Sequence, residues 1–415
     1  MSVELAMMLI RNLGTFGFVF SFFAQRMYVD LGFALKGFMI FALFYTVANL
    51  SKIKLFVIPA DKFYLVFIAY ATLTVPFSHD LGSGLRYVLG SILILYCSVV
   101  FRSLLISPSI TNETLDKLVV KAGLAFTITS FVFYIVGLMS FGSEYLSFEG
   151  QERFGVLIDR GVPRLIGIVN DPNIYVFYTL LFLFHGFANF GRGKAEKLLL
   201  GLSVSTVFLT FSRGGYLAVV GVSFVALIFK MVAGFRRNEF SVRKLFLILV
   251  ASLATVLVIY GVWSSEMARL MLEKRFTSIG DGSGRFEIWA HAIDLWADHP
   301  IFGIGWANFL QYNTLYFGRP NYTHNTPLEV LVELGVVGMI LYSLFLSSYL
   351  VTVCRCVRAT GRNFYVVVFL CMLALMTSLS LLINEVFFAF LSLIVAYQFH
   401  AARHAAARPQ EKIAE

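Results

Sequence analysis

Charge is scarce in this chain. Of its 415 residues only 14% are Asp, Glu, Lys or Arg, against 59% hydrophobic and 16% aromatic, and the mean hydropathy is +0.80. Such a composition excludes a soluble globular fold, in which roughly a quarter of residues are charged. The apolar residues gather into runs long enough to cross a bilayer. Cysteine is also scarce. Cys97, Cys354, Cys356 and Cys371 fall in or beside apolar runs, so neither a disulfide framework nor a cysteine-rich metal site is expected. The chain has no HExxH and no DxD-like acidic pair on the side called outer below, so no metal or other cofactor is expected. No soluble domain, low-complexity linker or clear internal repeat interrupts the pattern.

What is present is an all-α polytopic membrane protein, with residues 1–415 as a single integral membrane domain. About twelve spans are expected, near 5–24, 31–50, 62–78, 85–105, 118–141, 172–190, 197–211, 215–233, 245–264, 326–350, 364–383 and 386–400. The first run carries Arg11 and lacks a small-residue cleavage site, so a cleavable signal peptide is not expected. Two outer connections are long, 142–171 and 265–325, the second lying between spans 9 and 10.

Positive charge orients the spans. Lys52/Lys54, Arg192/Lys194/Lys197, Arg236/Arg237/Arg243/Lys244, Arg355/Arg358/Arg362 and Arg403/Arg408/Lys412 fall on one face, which is read as cytoplasmic, with both termini inside. The net charge of +9 is thus an orientation signal and no sign of nucleic acid. The other face breaks the rule. It carries one lysine by this count, Lys274, but ten arginines: Arg26, Arg86, Arg153, Arg160, Arg164, Arg213, Arg269, Arg275, Arg285 and Arg319. Guanidinium grips phosphate or carboxylate with a planar fork, so the set points to an anionic ligand at the outer surface. Pairing of individual arginines with Glu144, Glu152, Asp159, Glu273 or Asp281, or with lipid headgroups, is the plain alternative.

Three polar sequences precede spans that should begin at the outer face: Asn170-Asp171-Pro172-Asn173, Ser212-Arg213-Gly214-Gly215 and His324-Asn325-Thr326-Pro327-Leu328-Glu329. Asp171 and Pro172 read as N-cap and first helical residue, and Thr326, Pro327 and Glu329 as a capping box. Free N–H groups at converging helix starts would form an anion site. Residues 284–298 read as an amphipathic helix with Phe286, Trp289, Ile293 and Trp296 on its apolar face. Arg285 sits in its first turn, where a cation opposes the helix dipole unless an anion lies between. His299-Pro300 ends this helix and Gly303 and Gly305 mark a turn; that GxG follows a helix, which argues against dinucleotide binding. His324, just before a positive helix end, should stay neutral and able to accept a proton. His79, His185, His291 and His299 lack that setting and read as structural or solvated.

RLIGIVNDPN (Arg164 to Asn173), FSRGG (Phe211 to Gly215), GRFEIWAHAIDLWADHPIFGIGWANF (Gly284 to Phe309) and THNTPLEVLVELGVVG (Thr323 to Gly338) together resemble the O-antigen ligase and polymerase superfamily of bacterial envelope enzymes. The resemblance spans about residues 160–345. It implies a membrane glycosyltransferase C-type fold in the bacterial inner membrane, with transfer of a glycan from an undecaprenyl-diphosphate carrier at the periplasmic face. The acceptor would be lipid A-core or another glycan, and the remaining partners membrane lipids. By the same resemblance Arg213 and Arg285 match the arginines on which ligases depend and His324 matches their histidine. Arg164, Asn173, Ser212, Asn325 and Arg319, in or beside these motifs, are candidates for substrate contact. The ligase reading leads, a polymerase joining repeat units on the carrier is second, and an exporter of lipid or glycan is third. An exporter would place ionisable residues near mid-membrane, whereas the conspicuous groups here gather at one surface.

Overall fold

The computed structural model describes residues 13–31, 33–51, 53–142, 148–236 and 284–414. The expected span at 245–264, Arg11, the cations Arg237, Arg243, Lys244, Arg269, Lys274 and Arg275, and the carboxylates Glu144, Glu273 and Asp281 lie outside the described residues. Numbered over those residues, the helices are α1 (13–21), α2 (Gly37–Ala48), α3 (Pro59–Thr74), α4 (Leu81–Leu105), α5 (Asn112–Phe141), α6 (Pro172–Ala188), α7 (Lys194–Leu209), α8 (Arg213–Arg236), α9 (Arg285–Asp298), α10 (Phe309–Phe317), α11 (Thr326–Thr360), α12 (Phe364–Met376) and α13 (Glu385–Ala414). Each of the other eleven expected spans overlaps a helix. Four helices, α4, α5, α11 and α13, are long and apolar enough to cross a membrane.

Helix α13 is the axis of the bundle. Its residues Val386 to Ala396 are almost wholly buried, against α4 on one side and α11 on the other. Several of the polar groups inside are satisfied locally, as a low-dielectric interior favours. Ser98 and Ser392 share a hydrogen bond of 2.9 Å, and Tyr349 donates to the carbonyl of Phe387 at 2.8 Å. Arg102, fully buried, grips Asp61 at 2.5 and 3.0 Å.

Two features depart from an all-α chain. At the start of the expected span 31–50, β2 (Ala34–Lys36) pairs antiparallel with an exposed β1 (Tyr28–Asp30). The membrane helix begins only at Gly37, which leaves Lys36 at the arginine-rich end, paired with Glu385 at 2.6 Å. The outer connection at 142–171 carries an antiparallel meander of β3 (Glu152–Arg153), β4 (Val156–Asp159) and β5 (Val162–Leu165). Its tight corner is Arg160-Gly161, both at positive φ (58° and 66°), as a two-residue hairpin loop that follows strand twist requires. Strand β5 is fully buried and so fixes Arg164.

The expected span 364–383 is also shorter than read. Helix α12 stops at Met376, and residues 377–384 form an irregular segment at the same end as the meander. The backbone there is bonded by Thr326 instead of continuing the helix: Thr326 donates its hydroxyl to Leu379 O at 2.6 Å and accepts Leu381 N–H at 2.8 Å.

Candidate active site

Three helix starts meet at this end. Asp171 caps α6 by accepting the N–H groups of Asn173 (2.6 Å) and Ile174 (3.0 Å), with Pro172 as the first helical residue. Ser212 caps α8 by accepting Gly215 N–H at 3.0 Å, and its hydroxyl donates to Asn173 Oδ1 at 2.6 Å. The first turns of α6 and α8 are thereby tied together. Arg213, half-buried, is the first residue of α8.

The third start corrects the sequence reading. Asn325 is the N-cap of α11, extended at φ −156°, ψ 98°, and its side chain accepts Leu328 N–H at 3.1 Å. Thr326 is already helical, and its hydroxyl serves the 377–384 segment described above. Glu329 accepts from Thr323 Oγ1 at 3.3 Å rather than reaching back to the cap. A buried loop with unmet backbone groups claims the threonine, and the cap moves one residue upstream to a side chain that can serve it.

Arg164 is the hub. It is buried, and its guanidinium donates to Thr210 O at 2.8 Å, to Asp159 at 2.7 Å and to Asn173 Oδ1 at 3.4 Å. Asn173 therefore joins Arg164 to Ser212. Arg285, in the first turn of α9, is placed by electrostatics beside the same group. Burial holds its pKa below the usual guanidinium value, Asp171 opposes that, and Arg164 and Arg160 add to it. His324 has the same neighbours: burial lowers its pKa from the ordinary imidazole value, Arg285 lowers it further, and Asp171 works the other way. Arg160, Arg164 and Arg285 thus gather with Asp159 and Asp171 at the helix starts, and the Glu149 carboxylate accepts the backbone N–H groups of Arg160 and Gly161. Such a place favours an anion and a neutral imidazole.

Backbone strain marks the motifs. His324 (φ 47°), Phe211 (φ 48°), just before Ser212, and Ala307 (φ 58°) are non-glycine residues in the left-handed region. Each costs on the order of 1 kcal/mol or more and persists only where its surroundings fix it.

The 299–309 segment supplies the fixing. Helix α11 is broken at Gly335 (φ 64°, ψ −167°), which frees backbone groups on both sides. The segment takes them up: Ile304 N–H donates to Val332 O (3.0 Å), Gly305 N–H to Glu333 O (2.9 Å) and Val336 N–H to Pro300 O (2.9 Å). The Glu333 carboxylate accepts Ala307 N–H (2.9 Å) and Phe309 N–H (3.0 Å). Tyr70 donates to Leu334 O at 2.8 Å, and Trp306, fully buried, takes Thr74 Oγ1 on its N–H at 3.1 Å. The FGIG and ELGVVG sequences are therefore two halves of one backbone contact. A Cβ on Gly303 would lie 2.4 Å from Glu333 O, and one on Gly335 2.2 Å from Ile301 O.

Helix α9 lies on this platform by Ile288, Ala292 and Leu295, with Trp296 of the expected stripe packed against them, while Phe286 and Ile293 of that stripe are exposed. Trp289 donates from its indole to Thr323 O at 2.9 Å, tying the Arg285 helix to the residue before His324. Arg319 forms an exposed ion pair with Glu287 at 2.9 Å, which fixes α9 from its outer side. His291 stacks on Phe317 (centroids 3.7 Å apart, planes 5° apart) and bonds Asn313 at 3.0 Å, and His79 meets Tyr312 in a tilted ring contact with centroids 4.7 Å apart. Some outer arginines are paired internally, as the plain alternative has it: Arg26 with Glu152, and Arg164 with Asp159.

The residues that sequence reasoning missed lie on the other flank of the His324 turn. Arg86, Tyr87, Glu329, Ser380, Leu382 and Ile383 line an open cleft of about 330 Å³. The available signal was Glu329 and Glu333, two carboxylates one helical turn apart in an apolar run, where an ionisable group is expensive without a purpose.

A mostly helical protein with apolar spans, presenting arginines, a histidine and three helix starts at one end, defines a membrane protein. Residues 198–343 match the O-antigen ligase family, the family to which the sequence motifs point. The matched segment contains Ser212, Arg213, Arg285, Arg319, His324 and Asn325, while Arg164 and Asn173 precede it. No curated protein matches the chain.

Proposed function

We propose that this chain is an O-antigen ligase-type glycosyltransferase of the bacterial inner membrane, moving a glycan from undecaprenyl diphosphate to lipid A-core at the periplasmic face. The observation that carries the reading is the convergence of Arg285, His324, Arg164 and Asp171 at the starts of α6 and α11, with α8 and its Arg213 bonded to the same group through Ser212 and Asn173. The arginines and helix starts hold the diphosphate. His324 takes the proton of the acceptor hydroxyl, whose oxygen bonds the anomeric carbon. The bond from that carbon to the diphosphate oxygen breaks, and its electron pair leaves on the diphosphate. Direct displacement inverts the anomeric centre. Positive charge placed before the reaction, in a partly dry site, stabilises the charge that develops on the leaving group. Asn173, Ser212 and Asn325 hold the helix starts in register, and Arg319 holds α9 through Glu287.

The test is a reconstituted reaction in detergent with carrier-linked glycan and lipid A-core. Glycan-extended core lipid is the expected product, and chelator is expected to leave the rate unchanged. A ladder of longer carrier-linked chains would replace ligase with polymerase. Neither product from folded protein would remove the assignment.

A further inference from the structure

The turn 322–325 has two flanks. The charges acting on His324 are Arg285 and Asp171, whereas those acting on Tyr322 are Glu329, Glu333 and Arg86. The second flank is the cleft of about 330 Å³ lined by Arg86, Tyr87, Glu329 and Ser380. Its volume is at the small end of ligand sites, which run from roughly 300 to 1,000 Å³, and suits a single ring rather than a chain.

The lining is unusual for a membrane-embedded helix end. Glu329 is 3% exposed, and among the described residues no cation pairs with it; it is held by hydroxyls, that of Thr323 at 3.3 Å and that of Ser380. A carboxylate so enclosed normally gains a cation or several good donors. Here the cleft beside it is open, so a ligand bearing neutral hydroxyl donors would complete its set. Tyr87 offers an aromatic face, already set edge-on to Trp306 at 6.1 Å. Exposed Arg86 offers guanidinium donors, its Nε resting on Gly82 O at 3.1 Å. Carboxylate, aromatic face, hydroxyl and guanidinium around a ring-sized space match a sugar, with vicinal hydroxyls for the acid and a C–H face for the ring. The Thr323 hydroxyl contacts both Glu329 (3.3 Å) and Ser380 (3.4 Å) and immediately precedes His324, so a ring in the cleft lies one residue from the proposed base.

We propose that the Arg86–Tyr87–Glu329–Ser380 cleft is the acceptor-sugar site, recognising one uncharged pyranose by its hydroxyls and separate from the arginine cluster that holds the donor diphosphate. The assignment rests on the transferase reading for the word acceptor, but sugar binding at the cleft is measurable without any transfer.

The probe is deacylated lipopolysaccharide core oligosaccharide, titrated calorimetrically into the full chain in detergent. Wild type binds it. Ser380→Ala, Arg86→Ala, whose side chain is exposed, and Glu329→Gln each weaken binding tenfold or more, whereas Arg285→Ala leaves it within twofold. In transfer kinetics Ser380→Ala raises the acceptor KM by a similar factor and leaves the donor KM within twofold. Wild type that does not bind the oligosaccharide, or cleft variants that bind it and use acceptor normally, would overturn the proposal. Transfer that persists in that case leaves the glycosyltransferase reading standing; cleft-dependent binding without transfer leaves the sugar site standing and removes the enzyme.

Discussion

His324 combines two unfavourable properties, a left-handed backbone and a buried imidazole beside a guanidinium. Both are accounted for by a group that must be neutral, aimed and unable to relax. Because its pKa is lowered from 6.5, the neutral base is present at pH 7, and activity should be lost as pH falls through a value below 6.5. A log kcat/KM profile with unit slope on its acid side, absent from His324→Ala, checks this; the substitution should cost about 10²–10⁴ in kcat. Arg285→Lys keeps the charge but not the fork and is expected to lose on the order of 100-fold, with the donor KM as readout. At this scale the sequence was informative for chemistry and weak for geometry. Residue type and helix-start position pointed to Arg213, Arg285 and His324, and the family resemblance added Arg164, because few apolar chains tolerate such groups without use. The ion pair of Arg319 with Glu287, 32 positions away, was not legible, because spacing says nothing about so remote a partner.

Elements were legible wherever hydrophobic runs dictated them, since every expected span inside the described residues meets a helix. The amphipathic helix was found with its stripe half met: Trp296 packs with Ile288, Ala292 and Leu295, whereas Phe286 and Ile293 are apolar yet exposed. A helix lying at a bilayer surface is apolar on more than one side, so periodicity alone cannot choose its buried stripe. The strap between 300–309 and the α11 break was illegible for another reason, since it is made of backbone groups and glycines. It is tested by a graded pair. Gly303 and Gly318 both have positive φ (73° and 64°), but only at Gly303 would a Cβ collide with backbone. Gly318→Ala should cost about 1 kcal/mol in conformation alone, whereas Gly303→Ala adds an overpacking cost of about 1–3 kcal/mol. Thermal unfolding of both variants should show Gly303→Ala losing more, and transfer falling with it.

At the scale of the molecule, a carboxylate at the end opposite the site gathers four donors. Asp116 of α5 accepts both guanidinium nitrogens of Arg362 (2.6 and 2.8 Å), one of Arg192 (2.8 Å) and the hydroxyl of Tyr397 (2.9 Å), joining α5, α13 and two turns. Asp116→Asn should destabilise the bundle by an amount at or below the roughly 3–5 kcal/mol of a broken buried pair, because Arg192 is 56% exposed and screened. The midpoint of denaturation should fall while the KM values of surviving protein stay unchanged. The positive-inside reading had identified Arg192 and Arg362 as an orientation signal, and it was silent about Asp116, whose role appears only when distant turns meet.

The break in α11 carries one more consequence. Because the turn with His324, the segment that underlies α9 and the end of α3 are cross-bonded through Val332, Glu333, Leu334 and Trp306, the described part of the candidate site should melt with the bundle rather than ahead of it. Heating should therefore extinguish activity and helical circular dichroism along one curve. In hydrogen exchange, the amides of Ile304, Gly305 and Ala307, although they lie in irregular chain, should be as slow as those of the spans beneath them.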